Sequence, residues 1–386
     1  MGSTAGEIAD RFRDRFGAEP LLVRSPGRIN LIGEHTDYNE GFVLPAAVDK
    51  AVVFAISPRA DTGCRIVSLD FGQEIRFDIQ DLGRSPLRWP DYLAGVIDQL
   101  ARGGYPIRGF QCVFGGDIPI GAGMSSSAAV EGGLAFAMNA MFGLKINGVE
   151  LAKLAQRAEN EFVGMNCGIM DQFINIHGRE NNVLKLDCRS LEFEYFPFER
   201  TDLRLVVADT MVRRELATSE YNVRRRQCEE GVALLRKHAP SVLSLRDVSP
   251  GLLEEHRAEI DPVVYRRCDY VIQENIRVEL ACRDLVAGDF RKFGERMSAS
   301  HAGLRDDYEV SSPELDIMVE SASMVEGVLG ARMMGAGFGG CAIALVEEGA
   351  VPAFRERVGR AYEAATGKVP NIHVVGISAG THIINV

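Results

Sequence analysis

A chain in which strand-like and helix-like segments alternate over 386 residues is expected to fold as an α/β protein, either two domains or one large unit. Three observations predict this. The length exceeds one ordinary hydrophobic core. Short β-branched and aromatic runs interleave with amphipathic stretches long enough for helices. A Phe196-Pro197-Phe198 corner ends one block of strands before another begins, which places a boundary near residues 199–202 and gives units 1–199 and 200–386.

Charge and composition narrow the function classes. A net charge of −11 opposes a general nucleic-acid binder, so any anionic ligand needs a local basic or dipolar pocket. No apolar run reaches the roughly 18 residues of a membrane helix. Residues 1–10 lack a signal-peptide core, and a cytoplasmic location is expected. The eight cysteines form no C-x-x-C pair and the seven histidines no H-E-x-x-H pattern, so free thiols are expected rather than a zinc or disulfide framework.

Taken in order, residues 7–16 have helical spacing, and 21–23 read as a short strand closed by Ser25-Pro26-Gly27. Residues 29–32 read as a strand entering Gly33, followed by the polar loop Glu34-His35-Thr36-Asp37-Tyr38-Asn39 and a strand opening near Phe42. Donors and acceptors crowded into six residues between apolar strands suit a ligand rich in hydroxyls; a self-bonded polar turn is the competing reading. Residues 43–57 and 64–79 read as strands, and 89–100 as an amphipathic helix whose Trp89 is read as a core anchor.

The strand at 110–114 leads into Asp117-Ile118-Pro119-Ile120-Gly121-Ala122-Gly123-Met124-Ser125-Ser126-Ser127 and a small-residue helix over 128–142. Strand, glycine loop, serines and helix start together build an anion cradle, in which backbone N–H groups and the helix dipole converge. The serines can cap the helix, and an ordinary capped loop is the alternative. Residues 148–162 are helical, with Glu159 near the end. Asp171 then follows a glycine loop at the head of a short apolar helix, flanked by Met170 and Phe173, and a carboxylate in apolar company has a specific partner. Strands at 183–186, 193–196 and 203–208, a charged helix over 219–230 and helices over 265–286, 290–304 and 314–325 follow. A second glycine-rich stretch, Met333-Met334-Gly335-Ala336-Gly337-Phe338-Gly339-Gly340, precedes a strand at 341–346, and a helix over 350–365 and closing strands finish the chain.

No G-x-x-x-x-G-K-[ST] occurs, and no H-R-D accompanies a D-F-G to make the protein-kinase set, which excludes a P-loop or protein-kinase site. What remains is a phosphate cradle, a hydroxyl-reading loop, a flanked aspartate and a second glycine loop: the parts of a phosphoryl transfer from a nucleotide to a small hydroxyl compound.

On these residues the chain resembles the GHMP family of small-molecule kinases, and within it the galactokinases. Residues 27–45, 119–129 and 335–340 carry the resemblance, supported by Cys167-Gly168-Ile169-Met170-Asp171-Gln172 and Ser219-Glu220-Tyr221; it spans residues 19–345. The resemblance implies two mixed α/β lobes of α+β type, with the active site in the cleft between them. It also implies D-galactose and ATP as substrates, Mg²⁺ as cofactor, and a monomer. Arg28 would stabilise charge beside Asp171, which would take the proton of the sugar's anomeric hydroxyl. Arg28, Glu34, His35, Thr36, Asp37, Gly168, Asp171 and Tyr221 would hold the sugar. Gly121, Ala122, Gly123, Met124, Ser125, Ser126 and Ser127 would wrap the ATP phosphates, Trp89 and Tyr92 would border the adenine, and Ser127 with Glu159 would hold Mg²⁺. A kinase for N-acetylgalactosamine would share the loop at 34–37, whereas non-catalytic galactose and ATP sensors that resemble this chain depart from the Ser-Ser-Ser-Ala pattern, intact here over residues 125–129. Met334 departs from an expected threonine, and Met124 from a usual leucine.

Overall fold

The computed structural model describes residues 3–119, 123–212 and 217–385, those of 217–219 by backbone alone. The first sheet contains β1 (Leu21–Asn30), β3 (Pro45–Pro58), β4 (Gly63–Ser68), β5 (Gln73–Asp78), β6 (Phe110–Gly116) and β13 (His382–Ile383), in the order β13-β1-β3-β6-β4-β5. All its pairs are antiparallel except β4 with β6. β1 runs straight through Ser25-Pro26-Gly27, where the sequence pattern ends a strand. The register against β3 shifts between Pro26 and Arg28, and this irregularity accommodates a residue with no N–H to donate. The expected strand over 64–79 is instead the hairpin of β4 and β5, turned at Gly72 with φ 61°.

Alternation along the strands sorts the two faces. Leu22, Val53, Ala55 and Val113 pack with Ile8 and Phe12 of α1 (Ala5–Phe16), whose start carries a capping box of Thr4 and Glu7. Their neighbours Val23, Phe54, Ile56 and Cys112 point to the opposite face. There they meet α2 (Trp89–Arg102) and α3 (Ser126–Phe142), with α4 (Gly148–Arg157) and α5 (Met170–His177) beside them. A small sheet of β2 (Phe42–Val43), β7 (Asn182–Asp187) and β8 (Phe193–Pro197) abuts this layer.

The antiparallel third sheet takes β9 (Leu203–Asp209), β10 (Val328–Met334), β11 (Cys341–Glu347) and β12 (Asn371–Val375) in the order β10-β11-β9-β12. α10 (Pro313–Ser323) and α11 (Val351–Thr366) cover one face. α6 (Ala217–His238), α7 (Pro250–Glu255), α8 (Pro262–Val286) and α9 (Phe290–Asp306) make the helical part of this half. Two features differ from a simple cut at residue 200. β13 returns to pair with β1, Val23 opposite Ile383. One core also runs through both halves, joining Ile29 and Leu31 to Val278, Met334 and Ile343. Among the described residues no helix is long and apolar enough to cross a membrane.

The buried amide of Asn175 ties α5 to this frame. It donates to Ser25 Oγ at 2.9 Å and to the Pro26 carbonyl at 2.7 Å, and its Oδ1 accepts from Thr381 at 2.9 Å. Replacing it by leucine leaves those buried groups unpaired, and the near-equal size adds no cavity. Asn175→Leu is expected to lower stability by roughly 3 kcal/mol, read as a fall in the denaturant midpoint at unchanged slope.

Candidate functional site

β1 delivers Arg28 to the head of α5. Its Nε donates to Asp171 Oδ1 and its Nη2 to Oδ2, both at 2.7 Å, and its Nη1 reaches the Gly123 carbonyl at 2.5 Å. The side chain of Arg28 is 7% exposed, so this bidentate pair sits in a partly desolvated setting. Ser125 donates to Asp171 Oδ2 as well. Ser125 occupies the N-cap of α3 with left-handed φ 53° and makes no side-chain cap bond. The capping expected of it is therefore absent; its hydroxyl serves the carboxylate, and the helix N-terminus keeps no side-chain oxygen of its own.

Of the expected cradle, Gly121 and Ala122 lie outside the described residues. Gly123 takes φ 67°. Met124 is 1% exposed and belongs to the core, so only its backbone belongs to the loop, its carbonyl accepting from the Arg28 N–H at 3.1 Å. An unbranched apolar side chain there faces protein rather than ligand.

The polar loop after β1 is held from the far half of the chain. α8 contributes Glu274, which accepts from Gly33 N at 2.8 Å, Asn275, which accepts from Phe42 N at 2.8 Å, and Tyr270, whose hydroxyl donates to the Glu34 carbonyl at 3.1 Å. Glu34 accepts from Gly335 N at 2.8 Å, and Arg332 Nη2 lies 3.3 Å from it. Burial raises the Glu34 pKa, against the charges of Arg332 and Arg28. Thr36, expected among the sugar ligands, is fully buried and donates to the Gly33 and Phe42 carbonyls at 2.9 and 2.6 Å. It staples the loop rather than lining the cavity. A threonine hydroxyl satisfies backbone acceptors when they are nearer than any solvent-facing partner.

Arg28, Glu34, His35, Asp37, Ser127, Glu159, Gly168, Asp171 and Tyr221 line one cavity of about 190 Å³. Burial, with the charges of Asp171 and Glu34, pushes the Asp37 carboxyl up to about 7. Burial pushes His35 down to about 3. Gly168 is required by contact: a Cβ there would stand 1.8 Å from Asp37 Oδ2. Glu159 lies in a π-helical turn, Ala158–Val163, a device that re-aims side chains at functional sites. It accepts from Gln172 Nε2 at 2.6 Å, and Ser127 lines the same cavity. Burial and the Asp171 charge raise its pKa. Two hard oxygen groups, Ser127 Oγ and the Glu159 carboxylate, thus stand together beside Asp171, a donor set that fits Mg²⁺.

A second, mostly apolar cavity of about 220 Å³ is walled by Val52, Phe71, Trp89, Tyr92, Phe114 and Ile118. Ser127 lines both cavities. Trp89 does two jobs, core anchor and wall: its Nε1 donates to Gln73 at 2.7 Å and its ring stacks on Phe71 at 5.6 Å. Met334 is buried, its Sδ accepting from Asn30 N at 3.4 Å, so the position reads as core. Sequence reasoning missed Asn222 of the first cavity, Phe71 of the second, and the supports Arg332, Tyr270, Glu274 and Asn275. Only Phe71, an aromatic in a turn, left a local signal.

Comparison with known proteins gives the family. A galactokinase galactose-binding signature matches residues 10–58, the GHMP kinase N-terminal domain residues 91–179 and the GHMP kinase C-terminal domain residues 281–364. A galactokinase from Roseiflexus sp. (strain RS-1) is 43% identical over 97% of this chain and 96% of its own length. One from Clostridium perfringens is 42% identical over 97% and 98%. A crystal structure of Lactococcus lactis galactokinase complexed with galactose superposes with a TM-score of 0.93 at 38% identity, covering 97% of this chain and 98% of that one. A mevalonate kinase structure, at 17% identity and TM-score 0.64 over 92% and 99%, shares the fold alone. With its ion pair, its polar loop and its two joined cavities, the chain belongs to the galactokinase family of the GHMP kinases.

Proposed function

We propose that this protein transfers the γ-phosphoryl group of ATP to the anomeric hydroxyl of D-galactose, giving galactose 1-phosphate and ADP. The observation that carries the reading is the single cavity in which Asp171, clasped by Arg28, faces the buried acceptors of the polar loop. Galactose is a neutral ligand with a hydroxyl on nearly every carbon, and Glu34, His35, Asp37, Tyr221 and the backbone at Gly168 offer it directed partners. Residues 1–199 and 200–386 are the two lobes around it, with residues 382–383 returning to the first.

The reaction needs little covalent help, because a loose phosphoryl transition state is governed by position and charge. Asp171 accepts the proton of the attacking hydroxyl on a carboxylate oxygen. Arg28 holds that carboxylate in two-point register and offsets charge on the transferred group's oxygens. The backbone at Gly123 and the N-terminus of α3 receive the ATP phosphates, and the apolar cavity beside Trp89 and Tyr92 takes the adenine. Ser127 and Glu159 would hold Mg²⁺, which when bound supplies positive charge against the phosphate oxygens.

Phosphorus NMR on a mixture with galactose and Mg-ATP is expected to show phosphate on the C1 oxygen. In the Asp171→Asn variant turnover is expected to fall by at least ~10²-fold while galactose binding stays measurable by calorimetry. Turnover within a few-fold of the parent would reject the base role. Gly168→Ala drives a methyl into Asp37, and galactose affinity is expected to drop by roughly tenfold or more while nucleotide affinity holds.

Asp37 gives a pH signature. Its carboxyl titrates near 7 in the sugar-free protein, and only the ionised form accepts from a hydroxyl without itself donating. Galactose affinity is therefore expected to rise as pH rises through about 7, and to fall by up to about tenfold per unit below it. Calorimetric titration with Asp37→Asn as control isolates the effect, since that variant loses the slope. An equal slope in both proteins assigns it to another group.

A further inference from the structure

His35 ends a chain of four side chains whose other members, Tyr38, Tyr308 and Cys228, the reaction scheme does not use. His35 Nδ1 lies 2.8 Å from Tyr38 Oη, Tyr38 Oη lies 2.7 Å from Tyr308 Oη, and Tyr308 Oη lies 3.2 Å from Cys228 Sγ. The four come from both halves of the protein: His35 and Tyr38 from the loop, Cys228 from α6, and Tyr308 just beyond α9. Tyr308 and Cys228 are at most 1% exposed and His35 is 4% exposed. The rings pack as a cluster, His35 to Tyr308 at 4.9 Å and His35 to Tyr221 at 5.5 Å between centroids. The backbone around Tyr308 is pinned: Arg224 Nε donates to the Tyr308 carbonyl at 2.8 Å and its Nη2 to that of Glu309 at 2.7 Å.

We propose that Tyr308 and Tyr38 form a hydroxyl relay that fixes the tautomer of His35, so that its Nε2–H is the donor presented to a hydroxyl of the sugar. Tyr308 and Tyr38 are thereby positioning residues for substrate recognition. The inference rests on the galactose reading of the cavity for its last step only.

The direction follows from counting protons. Burial leaves His35 neutral at ordinary pH, so one ring nitrogen donates and the other accepts. Each of the three links holds one hydrogen. Were Nδ1 the donor, the chain would run outward and end on a sulfur, a weak acceptor. Nε2 would then be a bare lone pair on a ring that lines a cavity shared with Glu34, Asp37 and Asp171, acceptors when ionised. In the opposite sense every hydrogen is used. The Cys228 thiol, pushed up to about 11 by burial and so protonated, donates to Tyr308, Tyr308 to Tyr38, and Tyr38 to Nδ1. Nε2 then carries hydrogen, and among the described residues it is buried with no partner in hydrogen-bond geometry. A buried donor without a partner at the edge of a hydroxyl-reading cavity is where a ligand gains most.

Nitrogen-15 NMR of histidine-labelled protein without sugar reads the tautomer directly, with the His35 signals assigned by their loss in His35→Asn. The expected result is a single Nε2–H form. Tyr308→Phe keeps the ring contacts and removes one hydroxyl; it is expected to give a mixed tautomer and to raise the KM for galactose about tenfold, with kcat and the KM for ATP within about threefold. Cys228→Ser keeps a donor and is expected to retain both the tautomer and the galactose KM. An Nδ1–H form in the parent protein overturns the relay, as does a Tyr308→Phe protein with parental tautomer and galactose KM. Should Tyr308→Phe fail to fold, the parent spectrum and that of Cys228→Ala, expected to show the mixed tautomer, decide it. Failure of the parent to bind galactose at all would count against the proposed substrate, whereas the tautomer is read on sugar-free protein.

Discussion

Much of this protein is arranged around one ion pair whose arginine is buried. Arg28 cannot be left without Asp171: stripping one partner from such a pair costs about 3–5 kcal/mol, because the other charge stays buried and uncompensated. That constraint ties the start of α5 and the backbone at Gly123 to β1, since the guanidinium carried on β1 bonds to both. One turn along α5, Asn175 clamps the helix again to Ser25 and Pro26, the residues just before the arginine. Two ties one turn apart leave α5 no freedom to rotate about its axis or slide. The carboxylate is thus held at its post by the packing of a strand and a helix, not by loop rigidity.

Around that pair the site is rich in enclosed carboxylates. Glu34, Asp37 and Glu159 all have pKa values raised first of all by burial, and Asp37 and Glu159 also feel the charge of Asp171. Arg28 and Arg332 offset part of this charge on the sugar side. Enclosed acceptors of this kind suit a neutral polyhydroxyl ligand on one side and a cation on the other, and they reject a second anion. The end proposed for the phosphates is instead the start of α3, where the backbone supplies the positive field. The two ends of the cleft differ in the sign of what they receive.

The sequence made the near-neighbour part of this arrangement legible. Six polar residues between two apolar strands announced the loop at 34–39, and Met170 and Phe173 beside Asp171 announced a carboxylate with a partner. What could not be read depends on contacts between distant residues. Arg332, Tyr270 and Glu274 sit in segments whose patterns are those of ordinary strands and helices, and nothing local says that they reach the loop. The partners of Thr36 and Ser125 were not legible because a hydroxyl can serve backbone, carboxylate or ligand, and only the fold decides which is nearest. β1 looked short because a strand passes a proline only when its partner permits a bulge, and that partner lies some twenty residues on.

The pairing of β13 with β1 has a further consequence, for biosynthesis. Ser25 and Thr381, hydrogen-bonded at 3.1 Å, are 356 positions apart. At ribosomal rates the interval between their emergence is roughly 20 to 70 seconds, far longer than a hairpin or helix needs to form. During that time the outer edge of β1 presents unpaired backbone groups, the kind of edge that recruits strands from other chains. The nascent first half, even with its helices docked, therefore passes through a stage as an open-edged sheet, and the strand that shields it comes from the other end of the same polypeptide. Crowding of nascent chains would threaten this protein most in that window, before its sheet is closed.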